Sequence, residues 1–571
     1  MPTRTTLALF ARSLPFLALA SGLAGGQEPS VRASCDGRVI HAIRVSALRP
    51  PFRGEAAYWR RVARSIGLHH TTTDTAVVRR FLALHEGDIC TDFRMKESAR
   101  LLRDQPFIAD ATVHSVPDPA GGVIIEVETV DEIPAVASAS LNSHALSYLE
   151  IGNENMFGDA WLLALHASDR QLEGRSAGFR VTDYQFLGRP YQFDAQVDWG
   201  QRSSGFLLDA SHAYLTDLQR VAWEAGLARA AQEYIVLRRG NDIDDLGLRY
   251  RRSAADMGGV LRFGNLRTPI LLGGLLNFNR LEPMGGVAVS DSAIFPDTTL
   301  SGRFRTVKRA RLTAVGAWRN LNFVTVYGFD ALAAAEDVPT GFQLFGQLGR
   351  GMPMIGGESD LYTLGDLLSG VGSAKTYAEL HLISEGRHLT GGQAWDGIVS
   401  TGQLLLYWKP NGQRLLRAWA DYAGGWRLEV PFQLQLSTLG ERLIGYHGSL
   451  VGARRAGGGF ELRQLLPSVT TRADVAAAAF VNSARLWSGD APFGVNTPLL
   501  PSVGVSALAA VPRGSQKTLR IDLGVALRKG VPRSGWEVRL TYFNVGTRIR
   551  GEPSDVANAR ELIVGPDIFR P

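Results

Sequence analysis

Residues 519–527 read Leu-Arg-Ile-Asp-Leu-Gly-Val-Ala-Leu. Every odd position is a large aliphatic, and every even one is charged or small. Successive side chains of a strand point to opposite faces, so one face is wholly apolar and the other presents Arg520 and Asp522. The same alternation recurs along roughly the last 430 residues. Two surroundings satisfy such strands: the core of a soluble β-sandwich, or lipid around a closed barrel.

A chain of 571 residues exceeds one ordinary core. The net charge of +6 is spread without a Lys/Arg block, so there is no nucleic-acid footprint, and an anionic lipid surface suits the mild excess. Arg4 and Arg12 flank the start of an apolar run, Leu14–Leu23, that ends in Ala24-Gly25-Gly26. The run is shorter than the ~20 residues a helical span needs, so residues 1–26 read as a secretory signal peptide. Cys35 and Cys90 are the only cysteines. In an exported chain they predict one disulfide, with two buried thiols as the alternative. No later segment is a helix-length apolar run.

Residues 38–131 form a separate unit. Arg38–Leu48 alternates like a strand. Residues 49–70 are an insertion, with a helical stretch near 56–66. Thr73 reads as the N-cap of a helix carrying Val77, Phe81 and Leu82. Glu86-Gly87-Asp88 breaks it, and Asp92–Leu102 is a second helix with Phe93, Met95, Ala99 and Leu102 on its expected buried side. Two strands, Ala109–Val116 and Gly122–Val130, close the unit. From Val136 to Val545 there are only strand-length alternating segments, separated by Gly, Asn, Asp or Pro. At roughly 25 residues per strand and connection, they predict about 16 antiparallel strands. Aromatics near strand ends (Trp199, Trp408, Trp536, Tyr542) favour lipid over a sandwich core, and no fixed repeat supports a propeller.

The wording of these segments resembles the BamA/TamA outer-membrane assembly family. Thr75–Asp88 resembles that family's "helix, then Gly-Asp" segment, and Glu97-Ser98-Ala99-Arg100-Leu101-Leu102-Arg103 resembles its second helix. Phe107–Val113 and Val123–Thr129 are similar to the closing hairpin of its periplasmic POTRA module. Ile151–Ala160 and Phe186–Tyr191 resemble its early barrel turns, in the right order. The resemblance implies an all-β transmembrane barrel preceded by one small α+β POTRA domain, lodged in the bacterial outer membrane with that domain in the periplasm. It implies a protein that assists insertion or translocation of other polypeptides. The domain's sheet edge would capture extended clients, and a seam between first and last strands would template them. Its partners would be the lipid bilayer and unfolded or extended client polypeptides, with periplasmic accessory proteins left open.

Leu439–Tyr446 resembles the family's lumen-entering loop, whose tip is Arg-Gly-aromatic. Here the tip reads Ile444-Gly445-Tyr446, and Gly440 and Arg442 precede it. Arg442 is the candidate to take the displaced arginine's role, reaching the inward-facing acids Glu461 or Asp522. Arg463, Arg520, Glu537 and Arg539 read as ordinary lumen-facing residues. Residues 546–571 follow the last strand, where the family usually ends; this tail would fold into the lumen or hang in the periplasm. The displaced arginine and the tail leave two other readings open: a passive pore or surface protein, or a secretion pore for one dedicated partner.

Signatures of catalysis are missing. Gly370–Thr376 has the wrong spacing for a phosphate loop, His69-His70 has no metal-ligand companion, and there is no Gly-x-Ser-x-Gly elbow. The expectation is a protein that is not an enzyme and holds no cofactor or metal.

Overall fold

The computed structural model describes residues 35–560 apart from short segments, of which 49–71 and 237–244 are the longest. Residues 1–26, expected to be a signal peptide, the 49–70 insertion with His69-His70, and both Gly440 and Arg442 lie outside the described residues.

The first unit runs β1 (Ile40–Leu48), α1 (Thr75–Arg80), α2 (Asp92–Arg103), β2 (Ile108–Pro117) and β3 (Val123–Asp131). Its sheet has the order β1-β3-β2, with β1 parallel and β2 antiparallel to the central strand. The cap of α1 is Asp74, not Thr73: the Asp74 carboxylate accepts from Ala76 N at 2.7 Å. Thr73 is spent elsewhere, its hydroxyl donating to Asp131 at 2.7 Å. Val77, Val78, Phe81, Leu82, Leu102, Phe107, Ile125 and Val127 make the core together with Cys35 and Cys90, which are joined in a disulfide with Cα atoms 5.3 Å apart. The buried side of α2 differs from the expected one. Phe93 is exposed, whereas Glu97, Ser98, Arg100 and Leu101 are buried with Ala99 and Leu102. The helix has two contact faces, one toward its own sheet and one toward the barrel.

The second unit begins with β4 (Ala135–Asn142), β5 (Ala145–Asn153), β6 (Trp161–Arg170), β7 (Gly174–Asp183), β8 (Gln192–Gly200) and β9 (Ser204–His212). Longer strands follow: β10 (Val221–Val236), β11 (Asp245–Phe263), β12 (Ile270–Val289), the short β13 (Ile294–Pro296), β14 (Val307–Tyr327), β15 (Ala335–Gly351), β16 (Asp360–Gly372), β17 (Thr376–Leu389), β18 (Trp395–Asn411) and β19 (Arg414–Trp426). After the two-residue pieces β20 (Leu434–Gln435) and β21 (Val451–Gly452) come β22 (Arg454–Leu465), β23 (Asp474–Trp487), β24 (Leu500–Ala510), β25 (Lys517–Ala526) and β26 (Trp536–Asn544). Neighbours pair antiparallel, and the order closes through β26 and β4. Without the three-residue β13, the cycle holds twenty strands among the described residues, not the expected sixteen. The first six strands and their connections are shorter than the average spacing that gave sixteen.

The alternation at 519–527 separates two environments. Leu519, Ile521, Leu523 and Val525 are 39–49% exposed, while Arg520 and Asp522 are 2% and 1% exposed. The same outward apolar rows recur at Leu404 and Leu406, Phe460 and Leu462, and Val538 and Leu540. An apolar wall of this extent requires lipid, and closure satisfies the backbone groups that lipid cannot. Exposed aromatics mark both rims. Trp161, Tyr327, Trp408 and Tyr542 lie toward the end that carries the first unit, and Trp199, Trp395 and Trp536 toward the far end.

The first unit docks on one rim by specific contacts. Arg103 pairs with Asp337 at 2.6 Å, and Arg100 lies 4.2 Å over the Phe323 ring while donating to the Leu215 carbonyl. Asn155 donates to the Thr73 hydroxyl at 2.8 Å, and Gln185 to the Val77 carbonyl at 2.7 Å. Glu132 accepts from the Ser515 hydroxyl at 2.7 Å. Burial pushes the Glu132 and Asp104 carboxyls above their ordinary range. Lys517, on β25, reaches across the closure to the Ile133 carbonyl at 3.0 Å and to Glu154 at 2.5 Å. The disulfide spans 55 positions. By loop-closure entropy, Cys35→Ser should lower the stability of the first unit by about 4 kcal/mol. Limited proteolysis in a urea series measures this, and wild-type protein should show no free thiol when denatured without reductant.

Candidate functional site

The loop between β19 and β22 turns inward. Its arms pair as β20 and β21, and its tip, Leu443–Tyr446, is buried against the inner face of the last strands. Gly445 sits at φ +83°, a conformation that favours glycine. A Cβ there would come within 2.5 Å of Ala526 N and Gly535 O. Its amide donates to Glu537 at 2.8 Å, and its carbonyl accepts from the Gly535 amide at 2.9 Å. Ile444 fits over Gly524, where a Cβ would collide with the Ile444 side chain. The Tyr446 hydroxyl donates to the Pro501 carbonyl at 2.7 Å. Arg539 pairs with Glu537 at 2.7 Å and donates to the Leu443 carbonyl at 3.3 Å. The tip is therefore locked to β25 and β26 by backbone contacts and by one acid, Glu537.

Glu461 and Asp522 belong to a second cluster, nearer the docked unit. Glu461 pairs with Arg520 at 2.7 Å, Arg463 at 3.0 Å and Arg417 at 3.3 Å. Arg520 also binds Asp522 at 2.7 Å, and the Ser506 hydroxyl donates to Asp522 at 2.5 Å. Arg463 donates to the carbonyls of Phe329, Asp330 and Ala331 at 3.1–3.3 Å, fastening the β14–β15 turn to the lumen wall. The structure thus joins Glu461 and Asp522, but through Arg520, a wall residue, and not through a loop arginine. Arg442 lies outside the described residues, so its expected pairing is not observed; among the described residues the two acids carry wall arginines, and the acid at the loop tip is Glu537.

The signal for this arrangement lay in the sequence. Glu461/Arg463, Arg520/Asp522 and Glu537/Arg539 each place opposite charges two residues apart, on the same inward face of one strand. Such pairs neutralise themselves locally, leaving less need for a distant arginine. Glu537 and Arg539 had no feature to distinguish them from other inward residues; only the fold places them beneath the tip.

Two substitutions separate the clusters. Gly445→Ala should unseat the tip at a cost of about 1–3 kcal/mol from the left-handed backbone alone, with the Ala526 and Gly535 contacts adding to it. The temperature at which the folded barrel loses its fast gel mobility should fall. Arg520→Met removes a shared partner of two buried acids and should cost about 3–5 kcal/mol, read in the same assay. Arg520→Lys should recover only part of that loss, because its single ammonium cannot span both carboxylates.

No family model and no curated protein matches the chain. Among solved structures it is similar to BamA from Haemophilus ducreyi lacking POTRA domains 1–3, at 12% identity over 89% of this chain and 85% of that one, with a TM-score of 0.37. It is similar to CdiB from Escherichia coli at 12% identity over 92% and 93%, with a TM-score of 0.39. A third match is BauA, the ferric preacinetobactin receptor of Acinetobacter baumannii, at 8% identity over 76% and 85%, with a TM-score of 0.35.

Proposed function

We propose that this chain is an outer-membrane barrel of the BamA/TamA type that inserts or passes other polypeptides, with the first unit acting as a periplasmic POTRA domain. The observation that carries the reading is the inward loop tip seated on β25 and β26, beside the closure with β4. A loop locked there controls the rigidity of the strands whose edges a client would have to meet, and unpaired strand edges bind extended chains strongly.

Client capture by the periplasmic sheet follows the same chemistry, strand addition to an edge. On β1 part of the edge is taken. The Ile43 amide donates to Glu86 at 3.1 Å, and Arg79 donates to the Ile43 carbonyl. Capture on that strand would have to begin beyond Ile43, toward Leu48.

Depletion of the protein followed by outer-membrane proteomics tests the proposal. Several other barrels should fall in abundance together. Unchanged levels of all of them would sink the insertion reading, and loss of one secreted protein alone would convert it to a dedicated secretion pore. The Gly445→Ala variant should reproduce the depletion pattern in weaker form while remaining in the membrane.

A further inference from the structure

The chain leaves the barrel wall at the docked end, where Asn544 pairs with Lys517. Residues 552–557, 559 and 560 are nonetheless found inside the lumen, toward the far end. Glu552 accepts from the Thr401 hydroxyl at 3.2 Å and from Arg560 Nε at 2.6 Å. The Arg560 guanidinium, 8% exposed, reaches Glu385 at 3.7 Å and Thr401 at 3.1 Å. Its carbonyl accepts from Arg252 at 3.3 Å. Asp555, in the short helix α3 (Ser554–Ala557), pairs with Arg455 at 2.8 Å and accepts from the Gln435 amide at 3.4 Å. Val556 is fully buried in a cluster with Val399, Ala423, Leu434, Leu436 and Tyr446.

These contacts come from β11, β17, β18, β19 and β22 and from the inward loop. Strands β11 and β22 stand eight places apart around the wall when the three-residue β13 is left out. The segment therefore bridges the lumen instead of lining one side. It also packs on the arms of the loop whose tip holds β25 and β26.

We propose that the lumen carries a built receptor for the chain's own C-terminal segment, and that residues 552–560 cork the barrel there and brace the inward loop. The ligand class is a short peptide with a carboxylate, an apolar residue directly after it and a guanidinium four residues further on: here Asp555, Val556 and Arg560. The site answers with a cation at Arg455, an apolar bed and an acid at Glu385. A competing segment with that pattern would lift the cork without any covalent change. This role is independent of whether the barrel assembles, secretes or merely conducts.

The test is conductance in planar bilayers, with gel heat-modifiability as the check on folding. A chain lacking residues 546–571 should conduct several-fold more than the full chain. A synthetic peptide of residues 546–571 should return it to the full-chain level, and a scrambled peptide should not. The full-length double variant Asp555→Lys, Arg560→Glu repels both receptor charges and should also open the pore. If the shortened chain fails to fold, the double variant decides. Full-chain conductance in the folded shortened chain, or in the double variant when that decides, overturns the proposal, as does equal block by the scrambled peptide.

Discussion

Lipid offers no hydrogen-bond partner, and that constraint organises the whole chain. It forces the sheet to close, which leaves each strand with an outer face that must be apolar and an inner face free to be polar. The inner face then gathers charge in a confined space. Arg311 with Asp360, Arg417 with Glu461, and Arg520 with Glu461 and Asp522 are the result: guanidinium and carboxylate groups almost wholly buried from solvent, each tied to an opposite charge. Removing one partner strands the other, so these pairs act as cross-braces between strands.

The inward loop exploits a different resource. Its tip is held by shape at two glycines, Gly445 in the loop and Gly524 in the wall, which allow backbone and side chain to approach where any Cβ would intrude. An arginine at the tip would have brought its own charge to be neutralised. The isoleucine at 444 instead fills the space above Gly524, and the charged contact passes to the backbone amide of Gly445 and the Glu537 carboxylate.

Much of this was legible in the sequence for a physical reason. Period-two alternation is imposed residue by residue, so the membrane-facing rows at Leu519, Ile521, Leu523 and Val525 could be read without any partner strand. The number of strands could not, because it depends on connection lengths that vary between the short hairpins of β4–β9 and the long ones that follow. Local capping chemistry was legible only to within one residue: Thr73 and Asp74 are both competent caps, and the choice was made by Asp131, 58 residues away. The second face of α2 was hidden for the same reason, since Arg100, paired with Glu97, meets Leu215 and Phe323 of the barrel rim. Glu461 and Asp522 were recognised as inward acids, but their partners were set by register across β19, β22, β24 and β25, which no single strand encodes.

Lys517 gives the barrel a mechanical asymmetry. It extends from β25 past the closing strand to Ile133 and Glu154, while Ser515, in the preceding turn, binds Glu132. The two sides of the closure are thus stapled together at the rim that carries the first unit, and the staple uses that unit's own connecting segment. Any parting of β4 from β26 would unzip from the far rim downward, with the stapled rim as its pivot. The strain would pass straight into the linker at Glu132. Load on the first unit and parting of the wall are therefore coupled through Lys517 and the contacts of Ser515 and Gln516 with Glu132.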